Sequence, residues 1–119
     1  MPEVLLLGST DATIAVGDAI LESEISIAGA VSVGEKFSIS YSSAPVRNFR
    51  FADVPAWAEK NGIRSIPFQG YDEIVCALNG RSLDACIVAG WYHMIPRRFR
   101  ERFRRGCIGF HASLLPQLR

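Results

Sequence analysis

The sequence predicts an α/β fold, a doubly wound and mainly parallel sheet of the Rossmann type that is truncated after its fifth strand. Two observations lead to this prediction. Short apolar runs alternate with segments of helical periodicity along the chain, which is the order expected of strand–helix–strand units. The first run, residues 4–7, is continuously apolar and ends at Gly8, as is typical of a strand buried on both faces of a parallel sheet.

The first half of the chain predicts two neighbouring strands joined by a helix. The helix covers residues 11–24, and its expected buried face consists of Ile14, Ala15, Ala19, Ile20 and Leu21. Residues 27–33 form the second strand. Residues 34–50 are serine-rich and show no helical period. Their one pattern is the alternation of Phe37, Ile39 and Tyr41, so they form either a short edge strand or an irregular loop.

The second half continues the alternation. A helix begins near Asp53, carries Pro55 in its first turn and ends at Asn61 and Gly62, a pair suited to left-handed geometry after a helix. The remaining predicted elements are a strand at 63–66, a helix at 71–79, a strand at 83–88, a helix at 96–103 and a fifth strand at 107–110.

Composition restricts the class of protein. The 119 residues suit one globular domain, because 49% are hydrophobic and 21% are charged. A net charge of +1 gives no general attraction to nucleic acid or to an anionic membrane. The sequence has neither a signal-peptide pattern nor an apolar run long enough to span a bilayer, so we expect a cytoplasmic protein without membrane contact.

The cysteines do not form a recognisable ligand set. Cys76, Cys86 and Cys107 are spaced neither as a disulfide framework nor as a zinc site. We therefore expect reduced thiols in the core, and no bound metal.

Three segments are expected to meet at the carboxyl edge of the sheet, where open parallel sheets bind ligands. The first is Gly8-Ser9-Thr10, which is either an anion-binding turn or a simple capped turn into the helix. The second is Trp91 to Ile95, whose flat and apolar side chains either hold a planar cofactor or only cover the sheet end. The third is residues 111–116.

The third segment contains two candidate catalytic groups. His111 follows the fifth strand directly, and an imidazole accepts a proton from an attacking amine near neutral pH. The alternative to this catalytic role is that His111 is structural or merely exposed. Ser113 lies beside it, but no nucleophile-elbow pattern surrounds this serine.

A group of six arginines follows the fourth strand. They surround Phe99 and Phe103, which define a buried helix face. They form either a solvated helix surface or a patch for phosphate-rich substrates such as tRNA or a nucleotide sugar. The arginines are Arg97, Arg98, Arg100, Arg102, Arg104 and Arg105.

Together, residues 90–96 (Gly-Trp-Tyr-His-Met-Ile-Pro) and 109–116 (Gly-Phe-His-Ala-Ser-Leu-Leu-Pro) resemble the catalytic domain of the folate-dependent formyltransferases. That family includes enzymes that formylate methionyl-tRNA, glycinamide ribonucleotide and amino sugars. The turn after the first strand is closer to the methionyl-tRNA and amino-sugar branches. The resemblance implies that residues 1–119 are the N-terminal portion of such a domain, ending before the segment that carries the family's aspartate.

The resemblance also implies roles for individual residues. His111 matches the catalytic histidine, whereas Gly109 stands where the family has an asparagine that stabilises the developing oxyanion. The residues that match the pterin-binding loop of the family are Trp91, Tyr92, His93, Met94 and Ile95, and the formyl donor would be 10-formyltetrahydrofolate. Substrate contacts are expected from Gly8, Ser9, Thr10 and Ser113.

Three functions remain open at this point. The first is formyl transfer from 10-formyltetrahydrofolate to an amine of a nucleotide-linked amino sugar or of methionyl-tRNA. The second is a folate- or nucleotide-binding module without catalysis, which Gly109 and the missing aspartate favour. The third is a hydrolase that releases formate from the same donor. A fifth strand left uncovered by truncation predicts self-association or a need for further chain.

Overall fold

A computed structural model describes residues 2–34, 36–37, 46–47 and 51–110. In chain order the elements are β1 (Glu3–Leu7), α1 (Asp11–Leu21), β2 (Ser26–Ser32), β3 (Lys36–Phe37), β4 (Val46–Arg47), α2 (Val54–Lys60), β5 (Ser65–Pro67), α3 (Tyr71–Ala77), β6 (Ala85–Ala89), α4 (Arg97–Arg100) and β7 (Cys107–Phe110).

Five of the strands form one parallel sheet in the order β5-β2-β1-β6-β7. β1 lies at its centre, where Leu7 pairs with Val31 of β2 on one side and with Val88 of β6 on the other. The chain builds outward from β1 through β2 to β5, and then returns to place β6 and β7 on the opposite side. This order confirms the predicted parallel α/β sheet of the Rossmann type.

Helices cover both faces of the sheet because β1 is apolar on both. Leu5 and Leu7 project into a core that contains Ile74 of α3 and Phe99 of α4. Leu6 projects into the opposite core, which α1 and α2 cover. Each of these leucines is fully buried, and burying such a side chain contributes about 1.5–3 kcal/mol. The doubly wound arrangement is thereby confirmed.

The face that α1 presents to the protein differs from the predicted one. Its buried residues are Thr13 and Gly17, whereas Ala15, Ala19 and Leu21 are exposed. The reason is close packing, since a Cβ atom on Gly17 would lie 2.3 Å from the Trp57 ring of α2. A small residue is needed where α2 packs across α1, and a pattern of hydrophobic residues does not indicate such a position.

α2 agrees closely with its prediction. Asp53 precedes the helix, and its side chain accepts a hydrogen bond from the Ala56 amide at 3.0 Å. Gly62 follows the helix with φ of 69°, in the left-handed region. The predicted end of the helix is therefore confirmed.

Several other elements have shifted or shortened bounds. α3 ends at Ala77 rather than at residue 79, β6 spans Ala85–Ala89 rather than 83–88, and β2 spans Ser26–Ser32 rather than 27–33. β5 begins at Ser65, two residues later than predicted, and α1 ends at Leu21 rather than at residue 24. α4 ends at Arg100, and the chain then turns so that Phe103 forms a bridge with Leu83. Phe103 is still buried against Phe99, as the spacing of the two aromatic residues predicts.

Residues 34–50, which the sequence predicts to form either an edge strand or a loop, contain a short pair of antiparallel strands. Lys36 pairs with Arg47 and Phe37 pairs with Val46. The other residues proposed for that strand, Ile39 and Tyr41, lie outside the described part of the chain. Within the described residues, no helix has the length and apolar character that crossing a membrane requires.

Candidate functional site at the carboxyl edge of the sheet

The loops after β1 and β6 leave the sheet at the point where its strand order reverses. In open parallel sheets, this reversal separates the flanking connections and creates a crevice in which ligands bind. β1 and β6 are direct neighbours, so the structure brings the first two candidate segments together.

Hydrogen bonds join these two segments. The Ser9 amide donates to the Gly90 carbonyl at 3.2 Å, and the Thr13 hydroxyl donates to the Ala89 carbonyl at 2.5 Å. The same Thr13 Oγ1 accepts a hydrogen bond from the Thr10 amide at 3.1 Å. The start of α1 is therefore attached to the end of β6.

The contact between the segments requires two glycines. A Cβ atom on Gly8 would lie 1.8 Å from the Ala89 carbonyl oxygen. Gly90 has φ of 69°, and a Cβ there would lie 2.0 Å from Thr10 Oγ1. Neither position has room for a larger residue.

The hydroxyls of the first turn are buried in the fold. Ser9 and Thr10 are 0% and 4% exposed, and Ser9 Oγ accepts a hydrogen bond from the Val33 amide at 2.7 Å. The Ser9 carbonyl also accepts from the Ala52 amide at 3.0 Å. These contacts connect the turn to β2 and to the start of α2, and the substrate role of Gly8, Ser9 and Thr10 stays a prediction.

Tyr71, the first residue of α3, holds the loop that follows β6. Its hydroxyl donates to the Met94 carbonyl at 2.6 Å and accepts from Trp91 Nε1 at 3.2 Å. Burial raises the Tyr71 pKa, so the hydroxyl keeps the proton that it donates to Met94. One side chain thus attaches the loop at two places.

An aromatic cluster surrounds Phe68, which follows β5. The Phe68 ring centroid lies 5.1 Å from that of Tyr71, 4.9 Å from that of Trp91 and 4.8 Å from that of His93. The rings of Trp91 and His93 are 5.3 Å apart. Such spacings are typical of favourable aromatic contacts.

A cavity of about 380 Å³ opens beside this cluster. Its wall consists of the ends of β2 and β5, the segment from Phe68 to Gly70, and His93. Burial lowers the His93 pKa, which favours the neutral imidazole near pH 7. A neutral imidazole can both donate and accept a hydrogen bond, as recognition of a heteroaromatic ring requires.

The five predicted cofactor residues occupy different positions around this cavity. His93 lines it, Trp91 packs behind His93, and Ile95 packs against the core. Tyr92 and Met94 are 39% and 85% exposed. The loop therefore presents one ring to the cavity and two side chains to solvent.

Two residues of the site were not found by sequence analysis. Phe68 and Tyr71 follow β5 at the same edge of the sheet as the other candidates. The sequence prediction treated Tyr71 only as a helix start and left Phe68 without a role. Applying the carboxyl-edge rule to every predicted strand, including the short β5, would have identified both.

The third candidate segment falls outside the described residues, and it includes His111 and Ser113. The last described residue before it is Phe110, which pairs with Ala89 next to Gly90. Gly109 is exposed, and a Cβ atom placed on it would meet no atom of the described residues within 4 Å. The catalytic role of His111 and the substrate role of Ser113 stay predictions.

Most of the arginines after β6 contact protein groups. Their partners are Glu101 for Arg97 (2.8 Å), Asp72 for Arg98 (3.4 Å), Asp84 for Arg104 (3.0 Å) and the Gly80 carbonyl for Arg102 (3.4 Å). The three acidic partners offset part of the positive charge that this surface would offer to a phosphate backbone. Among the described residues, no group of three or more His, Cys, Asp or Glu side chains could hold a metal ion.

Comparison with known proteins adds one similarity. No family model matches the chain. The chain is 32% identical over 100 residues to a methionyl-tRNA formyltransferase from Caulobacter sp. (strain K31). The aligned region covers 78% of this chain and 32% of that protein. The chain thus spans about a third of the length of that relative. This similarity supports the resemblance to formyltransferases.

Proposed function

We propose that residues 1–119 are the N-terminal portion of a folate-dependent formyltransferase domain that transfers a formyl group from 10-formyltetrahydrofolate to an amine. The observation that carries the proposal is the cavity at the carboxyl edge of the sheet, which Phe68 and His93 line. Support also comes from the similarity to a methionyl-tRNA formyltransferase.

The cavity suits the flat pterin ring of a folate. Its volume of about 380 Å³ lies within the range of small-molecule sites. Phe68 and His93 supply the ring surfaces against which a flat pterin packs.

The proposed chemistry assigns proton transfer to His111. A bound 10-formyltetrahydrofolate supplies an activated formyl group. As the amine nitrogen bonds to the formyl carbon, His111 takes the amine proton, and it returns a proton to the departing folate nitrogen. Gly109 has no side chain that could donate to the oxyanion, and loss of one such donor costs about a hundred- to a thousand-fold in rate.

Two acceptors remain within the proposal. The name of the relative favours methionyl-tRNA for this chain. An amine on a nucleotide-linked sugar is the second acceptor, and the resemblance at the turn after β1 fits both.

The second candidate function is a folate-binding module without catalysis. Gly109 favours it, because this exposed position provides no group for the oxyanion. Hydrolysis of 10-formyltetrahydrofolate to formate is the third candidate, in which water replaces the amine.

Product analysis separates these functions. The chain is incubated with 10-formyltetrahydrofolate and either methionyl-tRNA or a nucleotide-linked amino sugar, and the formylated acceptor and free formate are both quantified. Formylated acceptor that disappears in His111→Ala supports the transferase. Saturable folate binding without product supports the binding module, and formate released without acceptor supports the hydrolase.

A single substitution adds a gain-of-function test. Gly109→Asn restores the family's residue at a position with room for a side chain, since an added Cβ would meet no atom within 4 Å in the part of the chain that the structure describes. We expect formyl transfer to rise by up to about a hundred- to a thousand-fold. Gly109→Leu is the matched control, because it fills the same space without a donor. An equal rate in both variants contradicts the oxyanion role.

A further inference from the structure

Two of the three cysteines lie directly opposite each other on adjacent strands. Cys86 in β6 and Cys107 in β7 are register partners, and both contribute to the core that contains Phe99 and Phe103. Neighbouring strands are about 4.7–4.9 Å apart, and disulfides join Cα atoms about 4.4–6.8 Å apart. The strand pairing therefore places the two Cα atoms within the separation that a disulfide joins.

The surroundings of the two thiols differ. Cys86 is fully buried, whereas Cys107 is partly exposed and lines a cavity of about 420 Å³ beside Arg100. A small oxidant in solvent thus has access to Cys107 and not to Cys86. The third thiol, Cys76, is exposed on α3, so the core position predicted for it is wrong, and it serves as an internal control.

The surroundings of the two thiols favour the protonated form of the buried one, Cys86. A hydrogen bond from Cys86, together with the Arg100 cation, lowers the pKa of Cys107, although burial opposes the shift. The same hydrogen bond, and then burial, raises the pKa of Cys86. Cys107 is therefore the more readily ionised thiol, and thiolates rather than thiols are the nucleophiles of cysteine chemistry.

We propose that Cys107 and Cys86 form a redox pair, in which a hydroperoxide oxidises Cys107 and Cys86 then closes a disulfide between β6 and β7. In the first step, the Cys107 sulfur attacks a peroxide oxygen, the O–O bond breaks, and water or an alcohol leaves after taking a proton. In the second, the Cys86 sulfur displaces the hydroxyl of the sulfenic acid, which leaves as water with the Cys86 proton.

This oxidation would reach the candidate site through two connections. Tyr71, which holds the loop after β6, packs against the same core as both thiols. β7 also leads directly to residue 111. The pair itself does not depend on the proposed formyl transfer, because its geometry involves only β6, β7 and α4.

Tryptic mapping of the unmodified sequence tests the pair. The reduced chain is treated with hydrogen peroxide equimolar to protein, alkylated under denaturing conditions and digested. The three cysteines fall in separate peptides, with Cys76 in 65–81, Cys86 in 82–97 and Cys107 in 106–119. We expect peptides 82–97 and 106–119 to lose alkylation together and to appear as a linked pair, while 65–81 stays alkylated.

Variants separate the two roles. In Cys86→Ala, we expect Cys107 to persist as a sulfenic acid that dimedone traps, and in Cys107→Ala we expect no oxidation of Cys86 under the same treatment. The proposal is overturned if oxidation falls first on Cys76, or if peptides 82–97 and 106–119 remain alkylated in the treated chain. The unmodified chain gives this answer even if a variant does not fold.

Discussion

At the scale of single residues, Gly8 and Gly90 allow the turn after β1 and the end of β6 to lie against each other. A Cβ on Gly8 would lie 1.8 Å from the Ala89 carbonyl oxygen, and a Cβ on Gly90 would lie 2.0 Å from Thr10 Oγ1. The sequence indicates that glycines end these strands, but it does not show that the two face each other. That requirement arises from the strand order, which places β6 beside β1.

This contact predicts a stability difference between glycines. Gly90→Ala places a side chain at φ of 69° and against Thr10. We expect a loss of at least about 2 kcal/mol, because left-handed geometry costs about 1–2 kcal/mol and overpacking about 1–3 kcal/mol. Urea unfolding measures the loss. The matched control, Gly109→Ala, has open space and should change stability little. Equal losses in both variants would show that the loops are not in contact.

His93 predicts a dependence of stability on pH. Its pKa in the folded chain lies below the ordinary value near 6.5, because burial disfavours the charged ring. As pH falls below about 6.5, the unfolded chain takes up this proton before the folded chain does, so the free energy of unfolding decreases until the folded pKa is passed.

NMR titration of the histidine ring protons tests this expectation. The sequence has two histidines, so His93→Gln assigns the His93 signal by its disappearance. We expect that signal to titrate below 6.5 and the decrease in stability to be smaller in the variant. A His93 midpoint at or above 6.5 would contradict burial of this ring.

At the scale of elements, the loop after β6 depends on a helix that comes before it in the chain. Tyr71 at the start of α3 connects to Trp91 and to the Met94 carbonyl. Sequence analysis identified the loop from its own residues but not its support. Side-chain contacts between elements far apart in sequence leave no periodic signal.

Tyr71→Phe tests this support. The ring is kept, so the contacts with Phe68 and Phe99 remain, but both hydrogen bonds to the loop are lost. We expect a loss of about 1–2 kcal/mol in stability and a change in Trp91 fluorescence. The control is Asp72→Asn, which removes an exposed ion pair with Arg98 and leaves both hydrogen bonds to the loop in place. A Trp91 signal that is unchanged in Tyr71→Phe would argue against the two-point attachment.

At the scale of the whole molecule, the sequence predicts the elements and the layers better than it predicts which surfaces are covered. Continuous apolar runs indicate strands buried on both faces, and β1 agrees. β7 also has an apolar sequence, yet Ile108 and Phe110 are 45% and 50% exposed. An apolar run reports the capacity for burial, whereas burial itself depends on what packs against the strand.

The exposed face of β7 predicts self-association of this chain. β7 is an edge strand, and paired exposure of Ile108 and Phe110 favours contact with a second copy. We expect sedimentation velocity to show dimers or larger species that Ile108→Lys reduces. Leu21→Lys is the control, since Leu21 is a 37% exposed apolar residue at the end of α1. A monomer at all concentrations would contradict the prediction.

The central claim is that the cavity beside Phe68 and His93 binds the pterin of a formyl donor, and the two tryptophans allow a direct test. Trp91 Nε1 donates to Tyr71 beside the cavity, whereas Trp57 Nε1 donates to Asp18 on the opposite face of the sheet at 2.8 Å. The measurement is an NMR titration of the two indole N–H signals with a non-hydrolysable 10-formyltetrahydrofolate analogue, with p-aminobenzoylglutamate as the control ligand that lacks the pterin. The account predicts a saturable shift of the Trp91 signal with the analogue alone and a constant Trp57 signal. A Trp91 signal that does not move, or that moves equally with both ligands, would contradict it.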